Sequence, residues 1–172
     1  MDLILSDPHD SHLPTVQRMK NSKVERIQHF LSEQNLNIKV VEFERSTRTA
    51  SEAAEACGCA VDQIVKSLVL RSGDQPLLFL VSGANRINLE ILRPGFNGQL
   101  KMADAGFTLE KTGYAIGGVP PFGHDVSIDT FLDETLLEFE TVWAAAGTPH
   151  AVFPIKSQDL LRLTSAAVIK VT

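Results

Sequence analysis

Two short apolar runs, residues 65–70 and 77–82, are separated only by Arg71-Ser72-Gly73-Asp74-Gln75-Pro76. Runs of this length joined by turn-forming residues predict two buried strands, and they predict the centre of a sheet. The rest of the chain has to supply what covers them. Ser22 can cap a helix in which Val24, Ile27, Phe30 and Leu31 fall on one face, ending at Asn35 or Asn37, and residues 38–43 then read as a strand. Thr49-Ala50-Ser51-Glu52 has the spacing of a capping box, opening a short helix that stops at Gly58. Further helices are expected at residues 88–92, stopped by Pro94-Gly95, at 104–111, stopped by Gly113, and at 157–163. Further strands are expected at 127–132, 138–142, 151–154 and 167–171. Helices and strands mix without strict alternation, so the fold class expected is α+β, a single domain with a curved, mixed, barrel-like sheet flanked by helices.

With 172 residues, 44% of them hydrophobic, the chain can bury a real core but is short for two full domains. Residues 1–20 show no sustained period and read as an N-terminal arm, leaving 21–172 as the folded domain. No apolar run approaches the ~20 residues of a membrane-spanning helix, and the start of the chain lacks the pattern of a signal peptide. A soluble, cytoplasmic protein is expected, with no membrane partner. Cys57 and Cys59 flank one glycine, too close for an easy disulfide and without a second ligand pair for zinc, so they read as reduced, core-filling residues.

The formal net charge of −5 argues against coating nucleic acid by electrostatics, and DNA is not an expected partner. Six acids and no Lys or Arg fall between Asp125 and Glu140. The remainder is near neutral and can offer a modest basic face from residues such as Lys23, Arg26, Arg45, Arg48, Arg86 and Arg93, enough for local phosphate contact.

The segment Gly117-Gly118-Val119-Pro120-Pro121-Phe122-Gly123-His124 combines bare backbone with two fixed φ angles, the composition of a shaped loop that lets a ligand approach main-chain groups. It reads as a site wall or as a tight turn between strands. Lys66 lies inside an apolar strand, where a lysine either snorkels to water or sits beside something anionic. In the second case it suits a carboxylate, a phosphate or a polarised ester. Asn85 and Arg86 follow the second strand at its exit, and an Arg fork suits a phosphate. His124 and His150 lie beside the two Gly/Pro turns, the second being Ala146-Gly147-Thr148-Pro149-His150, and each is a candidate hydrogen-bonding or acid/base group. No phosphate-binding loop, nucleophile elbow, dinucleotide fingerprint or metal-ligand spacing is present in the sequence.

Four segments in order, Thr49-Ala50-Ser51-Glu52-Ala53-Ala54, Ile64-Val65-Lys66-Ser67-Leu68, residues 117–124 and residues 142–150, resemble the YbaK/ProX group of aminoacyl-tRNA deacylases. That group includes the editing domain inserted in bacterial-type prolyl-tRNA synthetase, and the resemblance runs from about residue 22 to 163. It implies the YbaK-like fold and hydrolysis, in trans, of the ester joining a wrong amino acid to the terminal adenosine of a tRNA. The partner implied is the 3′ aminoacyl-adenosine end of a mischarged tRNA, with an aminoacyl-tRNA synthetase as a further partner, and no cofactor or metal. The family's strand lysine falls on Lys66 and its G-x-x-x-P loop on Gly117 and Pro121. Gly117 and Gly118 would hold the ester or its oxyanion, Lys66 would neutralise charge, and water would attack. Asn85, Arg86, His124 and Gly147 would support the substrate.

Cys-tRNA-clearing members carry a serine before the glycine of the last turn, where this chain has Ala146-Gly147. His150 instead is similar to the small-amino-acid branch, which implies Ala on tRNA(Pro) as substrate. Two other readings fit the same residues. One is a non-catalytic module that binds tRNA ends or nucleotides alongside a synthetase, and the other is an unrelated small ester hydrolase.

Overall fold

The computed structural model describes the backbone of residues 15–172 and the side chains from residue 22 onward. The first helix, α1, spans Thr15–Glu33, so Ser22 lies inside it rather than capping it. Of the expected arm over 1–20, residues 1–14 lie outside the described residues and the remainder is the first part of α1. The apolar face is as the spacing predicts: Val24, Ile27 and Leu31 are buried, and Phe30 stacks on Phe122 at 4.6 Å between ring centroids. The chain leaves the helix through Asn35, whose φ of 58° marks a left-handed exit.

The strand expected over 38–43 shrinks to β1, Val41–Glu42. The reason is a side chain from α1. Gln28 Nε2 donates to the Ile38 carbonyl at 2.8 Å and its Oε1 accepts from Val40 N–H at 2.9 Å, so this stretch is satisfied without a strand partner. Helix α2, Ala50–Cys57, carries the complete capping box, with Glu52 N–H donating to Thr49 Oγ1 and Thr49 N–H to the Glu52 carboxylate, and it ends in Gly58 at φ 66°.

Strands β2, Val65–Ser72, and β3, Gln75–Ser82, form the expected hairpin, each longer than its apolar run. Their register pairs Val65 with Ser82 and Ser72 with Gln75. Helix α3 (Leu89–Leu92), strand β4 (Leu100–Met102) and helix α4 (Ala105–Thr112) follow, the last capped by Asp104 and closed by Gly113. Strand β5 is Asp129–Asp133, β6 is Thr141–Ala145, β7 is Ala151–Lys156, helix α5 is Ser157–Thr164 and β8 is Ala167–Ile169. The strand expected at 138–142 starts later because Asp133 caps a 3-10 turn over Glu134–Glu138.

The α+β class and the mixed pairing hold, but the strands form two sheets instead of one closed surface. The larger has the order β4-β2-β3-β5-β8, and the smaller β1-β7-β6. Within the larger sheet β3 runs antiparallel to β2 and parallel to β5. Six consecutive residues of β3, Leu77 to Ser82, are buried because both faces are covered. Leu78 and Leu80 face the main core with Ile27, Leu31, Leu132 and Phe153, while Leu77, Phe79 and Val81 face a second cluster with Leu70 and Leu100. The sheets meet at one parallel bridge, Ile64 to Trp143. β4 pairs only with Leu70–Ser72, so among the described residues no strand completes the edge of β2 over residues 65–68.

Candidate functional site

A cleft of about 320 Å³ occupies that unfinished seam. One wall is the open edge of β2, the opposite wall is β6 at Trp143 and Ala144, and the ends are closed by residues 47–50 and by the Gly117 loop. Its volume falls at the small end of ligand pockets. Most of the lining is apolar, its charged side chains are Lys66 and Arg48, and no Asp or Glu lines it. Such a site favours a ligand that carries negative charge or a polarised carbonyl.

Lys66 is half-buried, and its Nζ donates to the Asn85 carbonyl across the β2–β3 pair. Burial lowers its pKa below the ordinary lysine value, the nearby Arg86 lowers it further, and Asp133 partly opposes both. Gly117 lines the cleft at φ +89°, and a Cβ there would stand 2.8 Å from Cγ of Arg48, whose stem lies across it. Gly118 sits behind. A Cβ on Gly118 would come within 2.9 Å of Thr148 Cα, so the 117–118 and 147–148 turns touch backbone to backbone. The Gly118 N–H donates to the Ala115 carbonyl at 2.9 Å, which commits it to the turn and leaves Gly117 as the residue of the pair facing the cleft.

The remaining sequence candidates fall around this centre. Asn85 turns its side chain away from the cleft, donating from Nδ2 to Asp133 Oδ2 and to Thr135 Oγ1, each at 2.9 Å. Arg86 is exposed beside Lys66. Pro121 is buried within the loop that forms the wall, and His124 braces it, its Nε2 donating to the Pro120 carbonyl at 2.8 Å. Burial pushes the His124 pKa down, against the effect of that hydrogen bond. Gly147 packs against the Lys23 backbone of α1. The His150 carbonyl accepts from Phe43 N–H at 2.8 Å, and the residue stands outside the cleft lining. Cys57 and Cys59 are free thiols, and burial pushes Cys57 up to about 11.

The sequence marks Arg48 only as one member of a basic face, and it does not single out Thr47, Ser67 or Asp133. Thr47 is buried and clamps the entry loop to the second turn, its N–H and Oγ1 both donating to the Pro149 carbonyl at 2.6 and 2.9 Å. That clamp holds Arg48 over Gly117. The capping box beginning at Thr49 was the available signal, because it fixes where α2 starts and therefore where the preceding arginine stands. Ser67 lines the cleft with a buried Oγ that has no partner among the described residues. No three His, Cys, Asp or Glu side chains converge among the described residues, and no described helix is long and apolar enough to cross a membrane.

Comparison with known proteins places this architecture. A family model, the aminoacyl-tRNA editing domain, matches residues 44–163. An uncharacterized protein of Bacillus subtilis (strain 168), YwhH, is 35% identical over 130 residues, covering 75% of this chain and 83% of that protein. A proline–tRNA ligase of Thermosipho africanus (strain TCF52B) is 37% identical over 81 residues, which are 46% of this chain and 14% of the ligase. A crystal structure of a candidate trans-editing enzyme for prolyl tRNA synthetase superposes with a TM-score of 0.81 at 46% identity, covering 87% of this chain and 96% of that one. The acid-free cleft with its strand lysine and glycine wall thus sits on a known scaffold, and the chain belongs to the aminoacyl-tRNA editing domain family, as an aminoacyl-tRNA deacylase of the YbaK type.

Proposed function

We propose that this deacylase acts in trans on a mischarged tRNA bearing a small amino acid, with Ala on tRNA(Pro) as its substrate. The observation that carries the reading is the pairing of a half-buried Lys66 with the Gly117 backbone in one small cleft that no acid lines. The 3′ aminoacyl-adenosine end enters the seam between the sheets. Water attacks the ester carbonyl, the Gly117 N–H receives the developing oxyanion, and Lys66 offsets the charge of that oxyanion or of the adjoining phosphate. Collapse breaks the ester bond. The ribose oxygen leaves with a proton, and the products are the free amino acid and an intact tRNA.

The other residues act around this step. Arg48 and Arg86 suit the phosphates that lead to the ester, with Arg48 held at the cleft mouth by its contact with Gly117. Gly118, Pro121, His124 and Gly147 keep the wall in shape. The apolar lining from Ala53, Val119 and Ala144 leaves little room beyond a small side chain, in keeping with alanine, and His150 shapes the second turn from behind. The similarity to part of a proline–tRNA ligase supports tRNA(Pro) as the carrier. A synthetase partner would supply tRNA affinity that a chain of net charge −5 has little means to generate alone.

The test is deacylation of a panel, Ala-, Ser-, Thr- and Cys-tRNA, by wild type and Lys66→Ala. Selective turnover of Ala-tRNA(Pro) that falls roughly 100-fold or more in the variant is the expected result. Binding of tRNA without turnover by folded protein, with and without the synthetase, would overturn it in favour of a binding module.

A further inference from the structure

Asp133 ends β5 with 1% of its surface exposed, outside the cleft lining and without an ion-pair partner among the described residues. A buried carboxylate has to be held by donors, and three hold this one. Oδ1 accepts from Thr135 N–H at 3.0 Å, which accounts for its capping of the 3-10 turn. Capping does not account for Oδ2. That oxygen accepts from Ser82 N–H at 3.0 Å and from Asn85 Nδ2 at 2.9 Å, tying β5 to the turn that leaves β3.

The same turn presents the Asn85 carbonyl to Lys66. Asn85 is fixed on three sides: its N–H donates to the Ser82 carbonyl at 2.9 Å, and its side-chain amide donates to Asp133 and Thr135. A carbonyl in an exposed turn would otherwise be free to shift. Lys66 stands opposite Val81 in the register, one residue before Ser82, so a movement of the turn is passed directly to the ammonium group.

We propose that Asp133 is a positioning residue for Lys66, acting through Asn85, whose side chain is the strut and whose carbonyl is the socket for the ammonium group. The catalytic purpose of this relay rests on the deacylase reading above, whereas the relay itself does not. Two charged groups act on Lys66. Arg86 lowers its pKa along with burial, and Asp133 acts in the opposite direction. Asn85 then serves the lysine instead of touching the substrate.

Lysine-selective NMR on the full chain tests the relay without a tRNA, with the Lys66 signal assigned from Lys66→Arg. In Asp133→Asn the titration midpoint of Lys66 is expected to move down, and in Arg86→Gln to move up. In Asn85→Ala the Lys66 ammonium protons are expected to exchange with water faster than in wild type, and Asp129→Asn, an exposed acid at the other end of β5, should change nothing. On mischarged tRNA, Asn85→Ala is expected to lower kcat by roughly tenfold or more with KM nearly unchanged. If Asp133→Asn does not fold, Asn85→Ala decides the matter alone. An unmoved Lys66 signal in the folded variants would overturn the relay, as would an Asn85→Ala effect confined to KM. A Lys66 that responds as expected in a protein that leaves Ala-tRNA(Pro) intact would uphold the relay and remove the proposed substrate.

Discussion

The two ends of β2 have opposite fates although they belong to one strand. Over Leu70–Ser72 it is paired on both sides, by β3 and β4, and Leu70 is fully buried. Over residues 65–68 the β4 partner is missing, and the strand faces β6 across a cleft instead. The closed end makes core and the open end makes the wall of a cleft. A strand edge left unpaired is usually a liability, and here the neighbouring loops cover it closely enough to leave space for a ligand and little else.

Breaking the closed half should show in stability. Phe79→Ala removes a fully buried ring that stacks on Phe131 at 4.8 Å, and a loss of about 3–5 kcal/mol is expected in urea unfolding. A loss below about 1 kcal/mol would mean that the second cluster is not a true core. Lys66→Ala is the converse. It should abolish most of the activity while shifting Tm by no more than a few degrees, since no core contact is lost. Equal damage to stability and activity would erase the distinction between the two ends.

Gly118→Ala probes the contact behind the wall. Its Cβ would meet Thr148 backbone at 2.9 Å, so the turns must separate, at a cost of about 1–3 kcal/mol together with a loss of deacylation. Retained activity would mean that the turn-to-turn contact does not shape the site. Thr49→Ala removes the α2 cap beneath Arg48 and is expected to cost about 1 kcal/mol in the same unfolding assay.

The smallest effect is a pH dependence. Burial holds His124 below its ordinary pKa, so in the window below about 6.5 the unfolded chain binds the proton that the folded loop resists. The His124 contribution is therefore present above that value and lost as pH falls toward the depressed folded pKa. Unfolding midpoints measured from pH 7.5 to 5 should fall less steeply in His124→Gln than in wild type. Identical slopes would show that the ring is not desolvated in the wall loop.

What was readable from the chain was local. The β2–β3 hairpin, the Thr49 capping box and the helix between Asp104 and Gly113 each depend on residues a few positions apart, and each formed close to where its signal lay. Two strand boundaries moved because a distant group intervened. Residues 38–40 lost their strand to the Gln28 side chain ten or more positions earlier, and β6 was displaced by a turn that Asp133 caps. At the site, Lys66 and Gly117 were legible as an intrusion into an apolar run and a glycine before a proline pair. Arg48 looked like any surface arginine until the Thr47 clamp, 102 positions from its acceptor, placed it over Gly117.

Periodicity, caps and turn chemistry within short windows were enough for the α+β class, the central hairpin, the ends of α2 and α4 and the lysine that breaks an apolar strand. The division of the strands into two sheets, with the 65–68 edge left open, depends instead on long-range packing. Tertiary contacts alone also turned the Asn85 side chain toward Asp133, 48 positions away, rather than toward a substrate. Buried hydrogen-bonding groups must all be satisfied at once, and which partner each finds depends on how distant segments pack.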